Sequence, residues 1–404
     1  MRWPASASRA SPCVAKAAYT GAVRLLVAVA LAGCRIGFDP RVAGDGGVGD
    51  DVGDAGDAAQ AAIDAGPIAL TCNTPVALST GTAANPHLTA AAGGNGFVAI
   101  WLDDTGHPVS QTGLLTTPTM VQATAAVVDP SGPWSMVSAA ISGTTLLVAL
   151  GTTDLTATGG SLVHPYDTTT GQSAGAPMMS GVRVASTRGL TAVTGAFSLD
   201  GLGFNPIAGA YVERLSPTGA VTMQATRAQD AATTARIATL ADGATTAVAG
   251  AGPNTPCAVR LQSSGALGPA AFWGATGMCV QPIAIPAAVG RSILLVRKDT
   301  SDGNLNHQIA TVPSGSTISL PGEGKLANVA DEPRGIAIGT GFWVGYHAPT
   351  NTLEVVTVDS GSVVGTPISL GPTASLDAHD LLVIAGEPYA VWFANGLQIA
   401  HLCP

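Results

Sequence analysis

Seven evenly spaced apolar strand cores, the glycine turns that precede them and a body poor in charge predict an all-β fold, a seven-bladed β-propeller. The cores lie at residues 97–101, 146–150, 190–193, 246–249, 293–296, 342–346 and 389–393, at steps of 45 to 56 residues. One four-stranded blade has about this length, roughly 40–50 residues. Charged residues make up only 11% of the chain, beside 51 glycines and 27 prolines. That is the composition of short strands and turns, not of amphipathic helices. The long step, from Ala192 to Val248, has room for an insertion, so six and eight blades stay as alternatives.

The amino end is read first. Arg2, Arg9, Lys16 and Arg24 precede an apolar run, 25–32, that leads into Leu31-Ala32-Gly33-Cys34. The run is too short to span the hydrocarbon core, which needs about 20 apolar residues, and has the order of a processing signal. Leu-Ala-Gly-Cys after such a run resembles the lipobox of bacterial lipoproteins. The resemblance implies that residues 1–33 are a signal peptide and that Cys34 is acylated and becomes the amino terminus. Acyl chains then make the membrane a partner. Arg35 stands where that family's inner-membrane retention signal places an aspartate. The resemblance therefore implies the outer membrane of a Gram-negative bacterium, with a body that is either periplasmic or surface-exposed.

Residues 34–70 follow as a tether. Asp45, Asp50, Asp51, Asp54, Asp57 and Asp64 stand among Gly, Ala and Val, with no aromatic residue in 42–69. Such a stretch cannot repay its ordering entropy and self-repels.

Residues 71–404 are one propeller domain, predicted to be monomeric. Blade one reads as an inner strand at 87–92, a Gly93-Gly94-Asn95-Gly96 turn, a second strand at 97–101 and a third at 108–112. Later cores are preceded by turns at Gly143, Gly189, Gly243, Gly290, Gly341 and Gly386, and third strands recur at 211–215, 258–261, 305–309, 353–358 and 397–402. The last blade runs out after its third strand. The segment 73–79 nearly repeats the text of 365–370 and supplies the missing outer strand, which closes the ring and removes its edges. Strand adjacency then pairs Cys72 with Cys403, and locality pairs Cys257 with Cys279. A zinc site built from these four thiols lacks paired C-x-x-C spacing.

The loops from second to third strands and between blades share one axial face. It is the candidate binding face: Asp103, Asp104, His107, Asp299, Asp302, Glu332, Arg334, Tyr346, His347, Asp377 and His379, with Asp331 and Asp380 beside them. Asp103 or Asp104 opposite Glu332 or Asp377 would make the carboxylate pair of a glycan-directed hydrolase. The aspartate boxes of the propeller sialidases, Ser-x-Asp-x-Gly-x-x-Trp, are absent, as are phosphate-loop and His-Glu-x-x-His motifs. No cofactor is called for; Asp299 to Asn304 is the one oxygen-rich loop that suits calcium, without the distal glutamate of a calcium hand. Four of the 17 Lys and Arg lie in the leader and all 26 acids lie beyond it, a field that repels nucleic acid. Trp101, Trp343 and Trp392 share a strand register and read as core, while Trp134 and Trp273 read as surface aromatics. The balance favours an envelope-anchored binding or scaffolding protein, with a protein or glycan ligand, over an enzyme.

Overall fold

A computed structural model describes residues 68–404 except 80–86, 117–118, 123–125, 130–131, 152–159, 185–188, 194, 204–208, 231–233, 240–245, 252–256, 264–265, 268, 270, 274–278 and 313–317. The leader, Cys34 and nearly all of the tether lie outside the described residues, as do the side chains of Trp273 and Cys279.

The described strands form seven antiparallel sheets in chain order. Blade one holds Thr89–Gly93, Gly96–Leu102, Pro108–Thr116 and Thr119–Gln122; blade two Met136–Ser142, Thr145–Gly151, Leu162–Asp167 and Met178–Met179; blade three Leu190–Val193, Ala196–Gly203, Gly209–Leu215 and Val221–Asp230. Blade four holds Thr234–Thr239, Thr246–Ala251 and Cys257–Ser263, with Ala266–Leu267 and Ala271–Trp273 both paired to the last of these. Blade five holds Cys279–Pro286, Ser292–Asp299, Leu305–Thr311 and Gly324–Ala327, and blade six Asp331–Ile338, Gly341–Ala348, Thr352–Val358 and Ile368–Pro372. Blade seven holds His379–Ile384, Glu387–Phe393 and Leu397–His401, and takes its fourth strand, Val76–Ala77, from the other end of the domain. Each inner strand packs against the inner strands before and after it, and that of blade seven against that of blade one, so the ring is closed.

Apolar residues of the second strands explain the stacking. Successive side chains point to opposite sheet faces, so alternate residues enter the layers on either side of a blade. Phe97, Ala99 and Trp101 pack with Val391 and Phe393 of blade seven, whereas Val98, Ile100 and Leu102 pack with Leu146, Val148 and Leu150 of blade two. The three register tryptophans are all buried, but Trp101 and Trp392 face the preceding blade and Trp343 faces the following one. Trp134, expected at the surface, is half-buried against the layer between blades one and two.

Blade three corrects the spacing argument. Leu190–Val193, taken as a second-strand core, is the inner strand, and its hairpin to Ala196–Gly203 turns at Gly195 with φ 66°. Counted from Leu199, the steps to Leu147 and Val248 are nearly even, and the apparent insertion disappears.

The closure is as the repeated text implies, but its strand is shorter. Val76 and Ala77 pair with Ile399 and Gln398, and the Leu78 amide donates to the Leu397 carbonyl at 2.8 Å. Cys72 and Cys403 are joined by a disulfide with Cα atoms 5.4 Å apart. Cys257 is buried and disulfide-bonded. Just before this strand, Ile68–Ala69 pairs with Met120 and Thr119 of blade one, so the chain already joins the ring inside the expected tether.

Inner strands have one ladder edge with no neighbouring strand, and their amides need other partners. Buried side chains supply them from blade to blade: Asp380 Oδ2 accepts from the Ala90 amide at 3.0 Å, Thr89 Oγ1 from Ala139 at 3.2 Å and Ser138 Oγ from Leu190 at 2.9 Å. A cavity of about 310 Å³ is lined by inner-strand residues, among them Thr89, Ala90, Ala139, Leu190, Ile336 and Leu381.

Candidate functional site

Four of the predicted residues meet on one arc of the ring. The inner strands of blades five and six each begin with a register shift at an X-Pro step, Gln281-Pro282 and Glu332-Pro333. Proline has no amide to give the ladder, so a bulge forms there. Gln281 and Glu332 adopt φ of 50° and 46°, sparsely populated for residues with a Cβ. The bulges aim the two side chains at each other: Gln281 Nε2 donates to Glu332 Oε1 at 2.5 Å, and Glu332 N donates to Gln281 Oε1 at 3.0 Å.

From Glu332 the network crosses to blades seven and one. Arg334, 2% exposed at its side chain, places NH1 3.3 Å from Glu332 Oε2 and NH2 3.1 Å from Asp377 Oδ1. Asp377, in the connection between blades six and seven, has its other oxygen 3.4 Å from His87 Nδ1, and its carbonyl accepts from Leu88 N at 3.1 Å. His379 is fully buried beside it. Burial alone raises the Asp377 pKa; the His87 contact and the positive fields of Arg334, His87 and His379 outweigh it and hold the carboxyl well below its ordinary range. The arc Gln281, Glu332, Arg334, Asp377 and His87 thus links four blades. Asp377 and His87 keep about a third of their side-chain surface in solvent.

The other predicted residues form separate groups. Asp331 pairs with Lys298 and lies opposite His347, whose imidazole is pushed down by burial. Asp103 spends one oxygen on its own turn, accepting from Thr105 N at 2.9 Å, Thr105 Oγ1 at 2.7 Å and His107 N at 2.9 Å; these bonds outweigh burial and lower its pKa. Asp104 is exposed in the same turn. Asp299 Oδ1 accepts from Ser301 and its Oδ2 from Arg297, Asp302 caps Asn304, and Asn304 Oδ1 takes the Val329 amide. The calcium-type oxygens of this loop therefore have partners within the protein. Tyr346, expected at the face, is buried between blades five and six and donates to Glu354 at 3.0 Å.

Gln281 and His87 were not among the predicted residues. Gln281 was visible in principle: Gln-Pro and Glu-Pro stand at matching positions of successive blades. Nothing in the sequence marks His87, which joins the arc only because the ring closes. A buried acid was also missed. Glu213 of blade three accepts from Ser180 Oγ at 2.5 Å and Gly181 N at 3.1 Å, and burial raises its pKa despite these bonds.

No protein-family profile and no curated protein matches the chain. Among solved structures, it superposes on a chain of the mitotic checkpoint complex with a TM-score of 0.55, 13% identity, and coverage of 85% of this chain and 98% of that one. It superposes on Raptor from Chaetomium thermophilum with a TM-score of 0.53 and 10% identity, over 84% of this chain and 30% of that one. The likeness is one of fold alone. The β-propeller is a scaffold that hosts both binding and catalysis, so the function has to be argued from the site.

Proposed function

We propose that this protein is a binding or scaffolding propeller held at the outer membrane by acylated Cys34, with the axial arc around Arg334 and Asp377 as its ligand contact. The observation that carries the reading is how the carboxylates of Asp377 and Asp103 are paired. A two-carboxylate hydrolase needs one acid kept protonated near neutral pH and a second aligned with it across the substrate. Asp377 is instead paired with Arg334 and His87, which hold its carboxyl well below the ordinary range, and Asp103 is bonded within its own turn, which lowers its pKa too. Rigid, partly exposed, charge-assisted groups of this kind suit recognition of a polar ligand, a glycan or a protein loop.

The test incubates the purified body with cell-envelope glycans and measures both retention and release of reducing ends. Retention without release, weakened at least tenfold by Asp377→Asn in a folded ring, is expected. Release of reducing ends that Asp377→Asn abolishes would make the protein a hydrolase. The anchor has its own test: Cys34→Ser should abolish acyl labelling and membrane attachment, and unchanged attachment would remove it from the proposal.

A further inference from the structure

The ring clasp carries an arrangement that its disulfide does not need. Nδ1 of His401 lies 3.9 Å from Cys403 Sγ, and the ligand atoms of Cys72, His401 and Cys403 all fall within 4.8 Å of one another. Two thiolates and an imidazole on one tetrahedral zinc ion stand about 3.5–3.8 Å apart, given Zn–S near 2.3 Å and Zn–N near 2.0 Å. The far side of the imidazole is also furnished. Glu387 Oε2 lies 3.7 Å from Nε2, and Tyr389 stacks on the ring with centroids 4.9 Å apart. A carboxylate behind a ligating histidine fixes its orientation and raises its basicity.

The strands that bring these groups together are also held by hydrogen bonds that do not involve sulfur. The Asn73 side chain holds the Cys403 backbone from both sides, donating to its carbonyl at 3.0 Å and accepting from its amide at 2.9 Å. Asn73 N donates to the His401 carbonyl at 2.7 Å, and Val76 and Ala77 stay in register with the last strand. Cys72 is exposed, so a reductant reaches it.

We propose that the reduced clasp is a zinc site with Cys72, Cys403 and His401 as ligands, a water in the fourth position and Glu387 as the positioning carboxylate. Disulfide and metal are then alternative closures of the same ring. In the reduction, a phosphine gives two electrons to the S–S bond and takes the oxygen of water, leaving two thiols and a phosphine oxide. Zinc then displaces both thiol protons to solvent as the two Zn–S bonds form.

The experiment reduces the purified mature chain with a water-soluble phosphine and titrates it with Co²⁺, then Zn²⁺. Expected are one equivalent of cobalt with thiolate-to-metal charge-transfer absorption, its displacement by zinc and no such absorption in the oxidised protein. Cys72→Ser should remove the thiolate pair's spectrum, His401→Ala should weaken binding more than a hundredfold, and Glu387→Gln about tenfold. Circular dichroism before metal addition reports the fold of each sample. Absence of the charge-transfer band in the reduced chain, unchanged affinity in His401→Ala, or a band that survives undiminished in a Cys72→Ser, Cys403→Ser double variant and so comes from other thiols would each overturn the proposal. Unfolding on reduction would overturn it as well, because the site requires the strand pairing to outlive the disulfide.

Discussion

Arg334 is the residue on which the arc turns. Its guanidinium is buried between two carboxylates, and a buried ion pair costs most when one partner is removed, because the other charge is left unpaired. Arg334→Met should destabilise the domain by about 3 kcal/mol, at the low end for a buried pair because Asp377 and Glu332 reach solvent; a urea titration reads it. Asp377 also sets a pH dependence. Its folded pKa lies below the unfolded value, so its contribution is present above the ordinary aspartate range, near 4, and is lost as pH falls through the depressed value. Asp377→Asn should flatten that acid limb in a plot of Tm against pH. Glu213 has the opposite sign. Its folded pKa is raised, so the folded state binds the extra proton and stability is lost as pH rises from below the ordinary glutamate value through the raised one. Ser180 Oγ lies 3.0 Å from the Val182 carbonyl oxygen as well as 2.5 Å from Glu213 Oε2, so the two acceptors share one hydroxyl. Glu213→Gln keeps a donor and an acceptor without the charge and should raise Tm at pH 8 relative to pH 4. Glu213→Leu strands the partners and should cost about 1–3 kcal/mol.

At the scale of strands and blades, close backbone approach decides which positions tolerate change. A Cβ on Gly201, in the second strand of blade three, would lie 2.0 Å from the Arg183 carbonyl oxygen in the connection from blade two, whereas one on Gly322 would meet nothing within 4 Å. Gly201→Ala should therefore cost about 3 kcal/mol or more, and Gly322→Ala less than about 0.5, measured by thermal melting of the two variants side by side. The same blade shows where the sequence was legible. Alternating apolar residues marked nearly every second and third strand, because each buries one face in each neighbouring layer and leaves a strong pattern. Leu190–Val193 carries an equally apolar text, and periodicity cannot tell an inner strand from a second one; only the pairing of Leu190 with Leu199 does. The arc was half legible. Glu332, Arg334, Asp377 and His379 were placed on one face by counting loops, since charge is scarce in this chain and concentrates at turns. Which of them touch depends on bulges of a single residue, at Gln281 and Glu332, and on the meeting of blades seven and one. Both are long-range outcomes that no local window contains. Tyr346 failed for a simpler reason: its position at the strand end suggested a mouth, but strand parity turns it into the layer beside blade five.

For the whole molecule, closure is the dominant constraint, because a propeller whose ends part exposes two strand edges and two apolar layers at once. The clasp joins residues 331 apart in sequence. By the loop-entropy account such a cross-link is worth about 5–6 kcal/mol, whereas measured disulfides usually give about 2–4, since the reduced chain retains structure. This clasp favours the lower range. Asn73, the Val76 and Ala77 ladder, and the Leu397 amide bonded to Ser79 Oγ at 3.1 Å hold the ends together without sulfur, and Leu78 is buried in the layer shared by blades seven and one. Cys72→Ser should accordingly lower Tm by about 5 °C, the shift that a few kcal/mol produces in a domain of this size, without loss of cooperativity. Leu78→Ala should do comparable damage with the disulfide intact, about 2–5 kcal/mol, by opening a cavity in that layer. Calorimetry on the two single variants and the double variant separates the contributions. If the ends are held independently by sulfur and by packing, the double variant loses more than either single one and the domain still melts in one transition. If the disulfide alone holds the ring, Leu78→Ala moves Tm only after Cys72 is replaced, and closure by strand pairing is wrong.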